Sequence, residues 1–137
     1  MNEIKILLIE DNEGDIILTK EALKDGKIQN QIQVAKDGQL ALDMLQTTEE
    51  LPDLILLDIN LPKVNGFEVL SAIKNDDRLK LIPVIMLSTS GAEKDILTSY
   101  SNYANCFITK PVDFNQFMNV VRSIEDFWIS IVKLPKK

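Results

Sequence analysis

The chain of 137 residues contains no histidine. That absence removes imidazole general acids, the nucleophile–histidine pairs of many hydrolases and the histidine-based metal sites. A single cysteine, Cys106, excludes an intrachain disulfide and a cysteine zinc cluster. No uninterrupted apolar run approaches the roughly 20 residues that cross a bilayer. The opening residues carry no signal-peptide pattern. Basic residues are in deficit: 15 Lys and Arg against 21 Asp and Glu leave a formal charge of −6. Nonspecific nucleic-acid binding needs basic surface, so this balance opposes it. What is present is ordinary for a folded chain, 45% hydrophobic and 26% charged. The length suits one domain with a real core. The expectation is an acidic, cytoplasmic single domain over residues 1–132 with a short tail at 133–137, and neither a membrane nor a nucleic-acid partner.

Short apolar runs at residues 6–9, 54–57 and 84–87 are followed by Glu10-Asp11-Asn12, Asp58 and Ser88-Thr89-Ser90-Gly91 respectively. Continuous apolar runs of this length fit strands buried on both faces. Ile32 and Val34 alternate with Gln31 and Gln33, as in an edge strand. Residues 105–109, with Cys106, Phe107 and Ile108, read as a fifth strand. Helical spacing occupies 15–25, 39–46, 67–75 and 93–101. In the first of these, Ile16, either Leu18 or Thr19, Ala22 and Leu23 supply the inward face. A last helix, 113–132, opens on Asp113 with Gln116 three residues on, a start like a capping box. Strands alternating with helices imply an α/β fold, a doubly wound parallel sheet of the (βα)5 kind. With edge-like second and fifth strands the order is flavodoxin-like, 2-1-3-4-5, and ligands bind beyond the strand ends where strands 1 and 3 diverge.

Those ends carry Glu10 and Asp11, Asp58, Ser88 and Lys110. Singly, each has a plain structural use: a turn for Asp58, a helix N-terminus for Glu10 and Asp11, a loop hydroxyl for Ser88, a solvated Lys110. Together they make a site. Three converging carboxylates repel one another, and a hard cation such as Mg²⁺ relieves that repulsion. A hydroxyl and an ammonium opposite them suit phosphoryl oxygens. Asp58 would then attack phosphorus and become an aspartyl phosphate.

The Glu10-Asp11 pair, Asp58 with Pro62 and Gly66 behind it, Ser88, and Lys110-Pro111 resemble the receiver domain of two-component response regulators, over roughly residues 4–124. The resemblance implies Asp58 as phosphoacceptor and a metal held by Glu10, Asp11, Asp58 and the main-chain carbonyl of Asn60. It also implies Ser88 as switch hydroxyl, Lys110 as phosphoryl contact, a cis peptide before Pro111 and Phe107 as switch aromatic. There are departures from the pattern. Glu10 stands where Asp is usual, Ser88 where Thr is common, and Phe107 lacks the hydroxyl of the more familiar Tyr. Thr89 is larger than its usual counterpart and is expected to slow loss of the phosphoryl group by screening it from water. The segments Asp11-Asn12-Glu13-Gly14-Asp15, Leu87-Ser88-Thr89-Ser90 and Ile124-Glu125-Asp126-Phe127-Trp128 resemble stand-alone receivers partnered with phytochrome-type sensor histidine kinases.

The last helix has its own signal. Phe114, Phe117, Val121, Ile124, Trp128 and Ile131 repeat at 3-4 spacing, while Phe127 lies off that stripe. A homodimer through this end is expected, with Phe117, Phe127, Trp128 and Ile131 at the contact. Two other functions stand beside the phosphorylation switch. A phosphorylation-independent dimeric scaffold would need only this helix. An aspartyl-nucleophile phosphatase would need an acid two residues after Asp58, where Asn60 stands. A flavin protein is disfavoured by the acidic loop after the first strand.

Overall fold

The computed structural model describes residues 4–24, 30–88, 106–110 and 115–116. Strands β1 (Ile4–Ile9), β2 (Asn30–Ala35), β3 (Leu54–Asp58), β4 (Val84–Ser88) and β5 (Cys106–Thr109) form one sheet, with helices α1 (Glu13–Lys24), α2 (Gly38–Thr47) and α3 (Gly66–Lys74) between them. The order is β2-β1-β3-β4-β5 and each pairing is parallel, as the strand pattern predicts.

The interior strands β3 and β4 are buried along their whole length, which is why their sequences are apolar up to the terminal Asp58 and Ser88. Alternation along each strand divides the core in two. Leu7, Ile9, Ile55, Leu57 and Met86 face α2 and α3, meeting Ala41, Leu45, Leu70 and Ile73. Ile6, Leu8, Leu56, Ile85 and Leu87 face the other way, meeting Ile16 and Leu23 of α1. On the edge strand β2, Gln31 and Gln33 are exposed while Ile32 and Val34 are half-buried.

On α1 it is Thr19, not Leu18, that turns inward. Ile16, Thr19 and Leu23 are buried, whereas Ile17 and Leu18 are exposed. The spacing of three and then four keeps the buried residues on one helical face, and Leu18 falls about 100° away from it. Leu40 of α2 is likewise exposed, because Ala41 and Leu45 take the inward face. Side chains close the helix starts. Asp37 accepts from the Leu40 N–H at 2.7 Å, and Asn65 with Glu68 forms a reciprocal capping box. Among the described residues no helix is long and apolar enough to cross a membrane. The expected helices at 93–101 and 113–132, the tail 133–137, and Thr89, Pro111, Phe117, Phe127, Trp128 and Ile131 lie outside the described residues.

Candidate functional site

The parallel register brings the strand ends level. Ile9 pairs with Leu57, so Glu10, one residue on, stands beside Asp58. Asp58 pairs with Leu87 and Ser88 with Thr109, so Ser88 and Lys110 follow on the same edge. Main-chain bonds continue the ladder past the strands: Glu10 N–H to the Ala35 carbonyl at 3.0 Å, Ile59 N–H to Leu87 at 3.0 Å, and Lys110 N–H to Ser88 at 2.7 Å. These bonds fix the backbone from which the polar side chains project. Close packing fixes it from behind. A Cβ on Gly66 would lie 2.3 Å from the Asp58 carbonyl oxygen, so only glycine lets α3 start directly beneath the aspartate.

Glu10 and Ser88 are fully buried and Asp58 is 3% exposed, whereas Asp11 is exposed. Carboxylate oxygens of Glu10, Asp11 and Asp58 lie within 4.8 Å of one another. Asp58 Oδ1 accepts from the Asn60 N–H at 3.2 Å, and Glu10 Oε2 from the Asn12 N–H at 3.3 Å. Lys110 is the cation among them. Its Nζ lies 2.6 Å from Glu10 Oε1, 2.9 Å from Asp15 Oδ2 and 3.3 Å from Asp58 Oδ2.

Burial pushes the Glu10 carboxyl up to about 7, and neighbouring Asp58 adds to the rise while Lys110 opposes it. Burial alone would lower Lys110, but its contacts with Glu10 and Asp15 and the charge of Asp58 outweigh that and hold it above the usual lysine range. Glu10 Oε1 has no hydrogen-bond partner despite the nearby ammonium. A buried carboxylate oxygen in that position is costly unless a cation meets it. Three convergent hard oxygen donors of this kind fit a divalent cation such as Mg²⁺ or Mn²⁺. The donor set therefore can hold one.

Of the residues read from sequence, Glu10, Asp11, Asp58, Ser88 and Lys110 are brought to this single edge. Phe107 is half-buried and packs against the core beneath α2 and α3. Asn60 is exposed just beyond Asp58. Sequence reasoning missed Asp15 as a partner of Lys110. The available signal was a carboxylate in the first turn of α1, four residues after Asp11.

Residues 6–122 match the family described as the response regulator receiver domain. The chain is 42% identical over 135 residues to Response regulator Rcp1 of Synechocystis sp., covering 95% of this chain and 92% of that protein. A structure of Rcp1 in its Mn(2+)-bound form superposes with a TM-score of 0.74 at 40% identity, over 94% of this chain and 96% of that one. The phosphorylated cyanobacterial phytochrome response regulator RcpA gives 0.78 at 45% identity, over 94% and 96%. The bacteriophytochrome response regulator AtBRR gives 0.81 at 43% identity, over 89% and 92%.

Proposed function

Because the chain belongs to the response regulator receiver domain family, we propose that it is a stand-alone phosphorylation switch whose phosphoacceptor is Asp58. The carrying observation is the placement of the Asp58 carboxylate: buried, at the switch-point edge, within 3.3 Å of the Lys110 ammonium and beside Glu10 and Asp11. These 137 residues contain no histidine, so they do not supply their own phosphohistidine. An Asp58 oxygen attacks phosphorus of a phosphohistidine on a sensor kinase. A P–O bond forms as the P–N bond breaks, and the electron pair returns to the imidazole nitrogen. Lys110 neutralises charge on the transferred oxygens, and the Ser88 hydroxyl donates to one of them. A Mg²⁺ held by Glu10, Asp11, Asp58 and the main-chain carbonyl of Asn60 would offset the remaining negative charge.

Asn60 supports an acceptor rather than an enzyme that turns over phosphate esters. Its amide, two residues past Asp58, cannot supply the proton a leaving alcohol needs. Self-phosphorylation and self-dephosphorylation are then the protein's own chemistry. The related phytochrome response regulators favour a phytochrome-type histidine kinase as cytoplasmic partner. Output is a protein contact, with a homodimer formed through the C-terminal region.

The test is intact mass after incubation with Mg²⁺ and acetyl phosphate, beside Asp58→Asn. One phosphoryl group is gained by the native protein, lost on chelation of the metal beforehand, and absent from the variant. No gain in either protein overturns the reading in favour of a scaffold.

A further inference from the structure

We propose that Asp15 is a positioning residue for Lys110, holding its ammonium on the α1 side of the site and setting how readily it turns to a phosphoryl group on Asp58. The proposal rests on the reading of Asp58 as phosphoacceptor. Four carboxylates, Glu10, Asp11, Asp15 and Asp58, surround this one ammonium or share its cluster. Glu10, Asp11 and Asp58 form the set that can take a divalent cation, and Asp15 is not in it. When a cation occupies that set, Glu10 and Asp58 are engaged, and Asp15 is the carboxylate left to Lys110.

The geometry favours this division. Lys110 Nζ donates to Asp15 Oδ2 at 2.9 Å in hydrogen-bond geometry, while Glu10 Oε1, though nearer, has no hydrogen-bond partner. Asp15 is also fixed from its own side. It sits in the first turn of α1, where a carboxylate faces the positive end of the helix. Its N–H donates to Asn12 Oδ1 at 2.9 Å. Its side chain is 26% exposed against 7% for Lys110, so the pair spans the rim of the site. An ammonium tethered there must leave, or share, Asp15 to reach transferred phosphoryl oxygens. Asp15 thus competes with the phosphoryl group for the same donor.

The experiment is a double-mutant cycle on the full chain with Asp15→Asn and Lys110→Met, read by titration with beryllium trifluoride, a phosphoryl stand-in, at fixed Mg²⁺. Asp15→Asn is expected to tighten binding about fivefold, the upper end for a partly exposed ion pair. It should leave Lys110→Met unchanged, and Asp15→Glu should restore native affinity. Equal tightening in both backgrounds would mean a general charge effect and overturns the proposal, as does no effect in either. Nitrogen-15 resonances of the Lys110 ammonium give an independent reading. Faster hydrogen exchange at Nζ in Asp15→Asn supports the tether, and unchanged exchange overturns it. If the native protein neither binds the probe nor takes up phosphoryl from acetyl phosphate, the phosphoacceptor reading itself falls and the proposal with it.

Discussion

Glu10 places a carboxyl group where solvent does not reach, with its pKa pushed up by burial to about 7 from the ordinary 4.5. An acid whose folded-state pKa is raised costs stability once it ionises. Its contribution is therefore intact below the unfolded value and is lost as pH rises from about 4.5 through about 7. Lys110 works in a different window. Its pKa is raised, so its stabilising share persists below its ordinary value and is lost only as pH climbs through the folded value, well above neutrality. Urea unfolding in chelator should accordingly show native stability falling by about 1–3 kcal/mol between pH 4.5 and 8. Glu10→Gln should flatten that slope. Added Mg²⁺ should raise the unfolding midpoint more at pH 8 than at pH 5, because metal and proton compete for Glu10. Equal metal stabilisation at both pH values would remove Glu10 from the metal set. At this scale Glu10, Asp58, Ser88 and Lys110 were legible in sequence because each polar residue interrupts or follows an apolar strand. Asp15 was not, because its partner lies 95 residues away and its place near Asp11 does not by itself point to Lys110.

At the scale of elements, strands were easier to read than helix faces. β3 and β4 are apolar on both faces up to their terminal Asp58 and Ser88, so their burial is written in the run itself. On α1 the neighbouring Ile17, Leu18 and Thr19 leave the inward face ambiguous, and packing gives it to threonine. The turn from β3 to α3 was the least legible segment, since its shape depends on contacts rather than periodicity. Lys63 there has φ 67°, a left-handed conformation that side chains with a Cβ adopt at a cost. Its ion pair with Asp37 is long, at 3.7 Å, with the lysine exposed, and offsets little of that cost. Lys63→Gly should therefore stabilise the protein by about 0.5–1 kcal/mol in urea unfolding. Gly66→Ala should do the reverse. Its new methyl would meet the Asp58 carbonyl at 2.3 Å and Ile59 Cα at 2.6 Å, both backbone, so the turn must move. A loss of about 2–3 kcal/mol is expected, the scale of overpacking. Slower labelling of Asp58 by acetyl phosphate should accompany it, because the same backbone positions the nucleophile. Native labelling kinetics in Gly66→Ala would show that the close approach serves stability alone.

At the scale of the whole molecule, the sheet is shallow relative to the helix that the sequence predicts over residues 113–132. β4 has five residues, or roughly 17 Å. A helix over residues 113–132 would extend about 30 Å. In the proposed homodimer, the later turns of such a helix would bring Phe127, Trp128 and Ile131 to a partner surface instead of to water. A second copy of the chain would present the same stripe, and the proposed two-fold pairing would cover both at once. The negative charge of the chain does not forbid this, because Phe127, Trp128, Ile129, Ile131 and Val132 carry none of it. Sedimentation velocity at micromolar to tens of micromolar concentration should find a dimer in the native protein. Phe127→Ser combined with Trp128→Ala should shift it to monomer, since aromatic anchors dominate the energy of most interfaces. The same variant should still gain one phosphoryl group from acetyl phosphate, because it changes none of Asp58, Glu10 and Lys110. A variant that is still dimeric would place the interface elsewhere. One that is monomeric but unphosphorylated would tie the site's assembly to the dimer, making association part of the switch rather than its consequence.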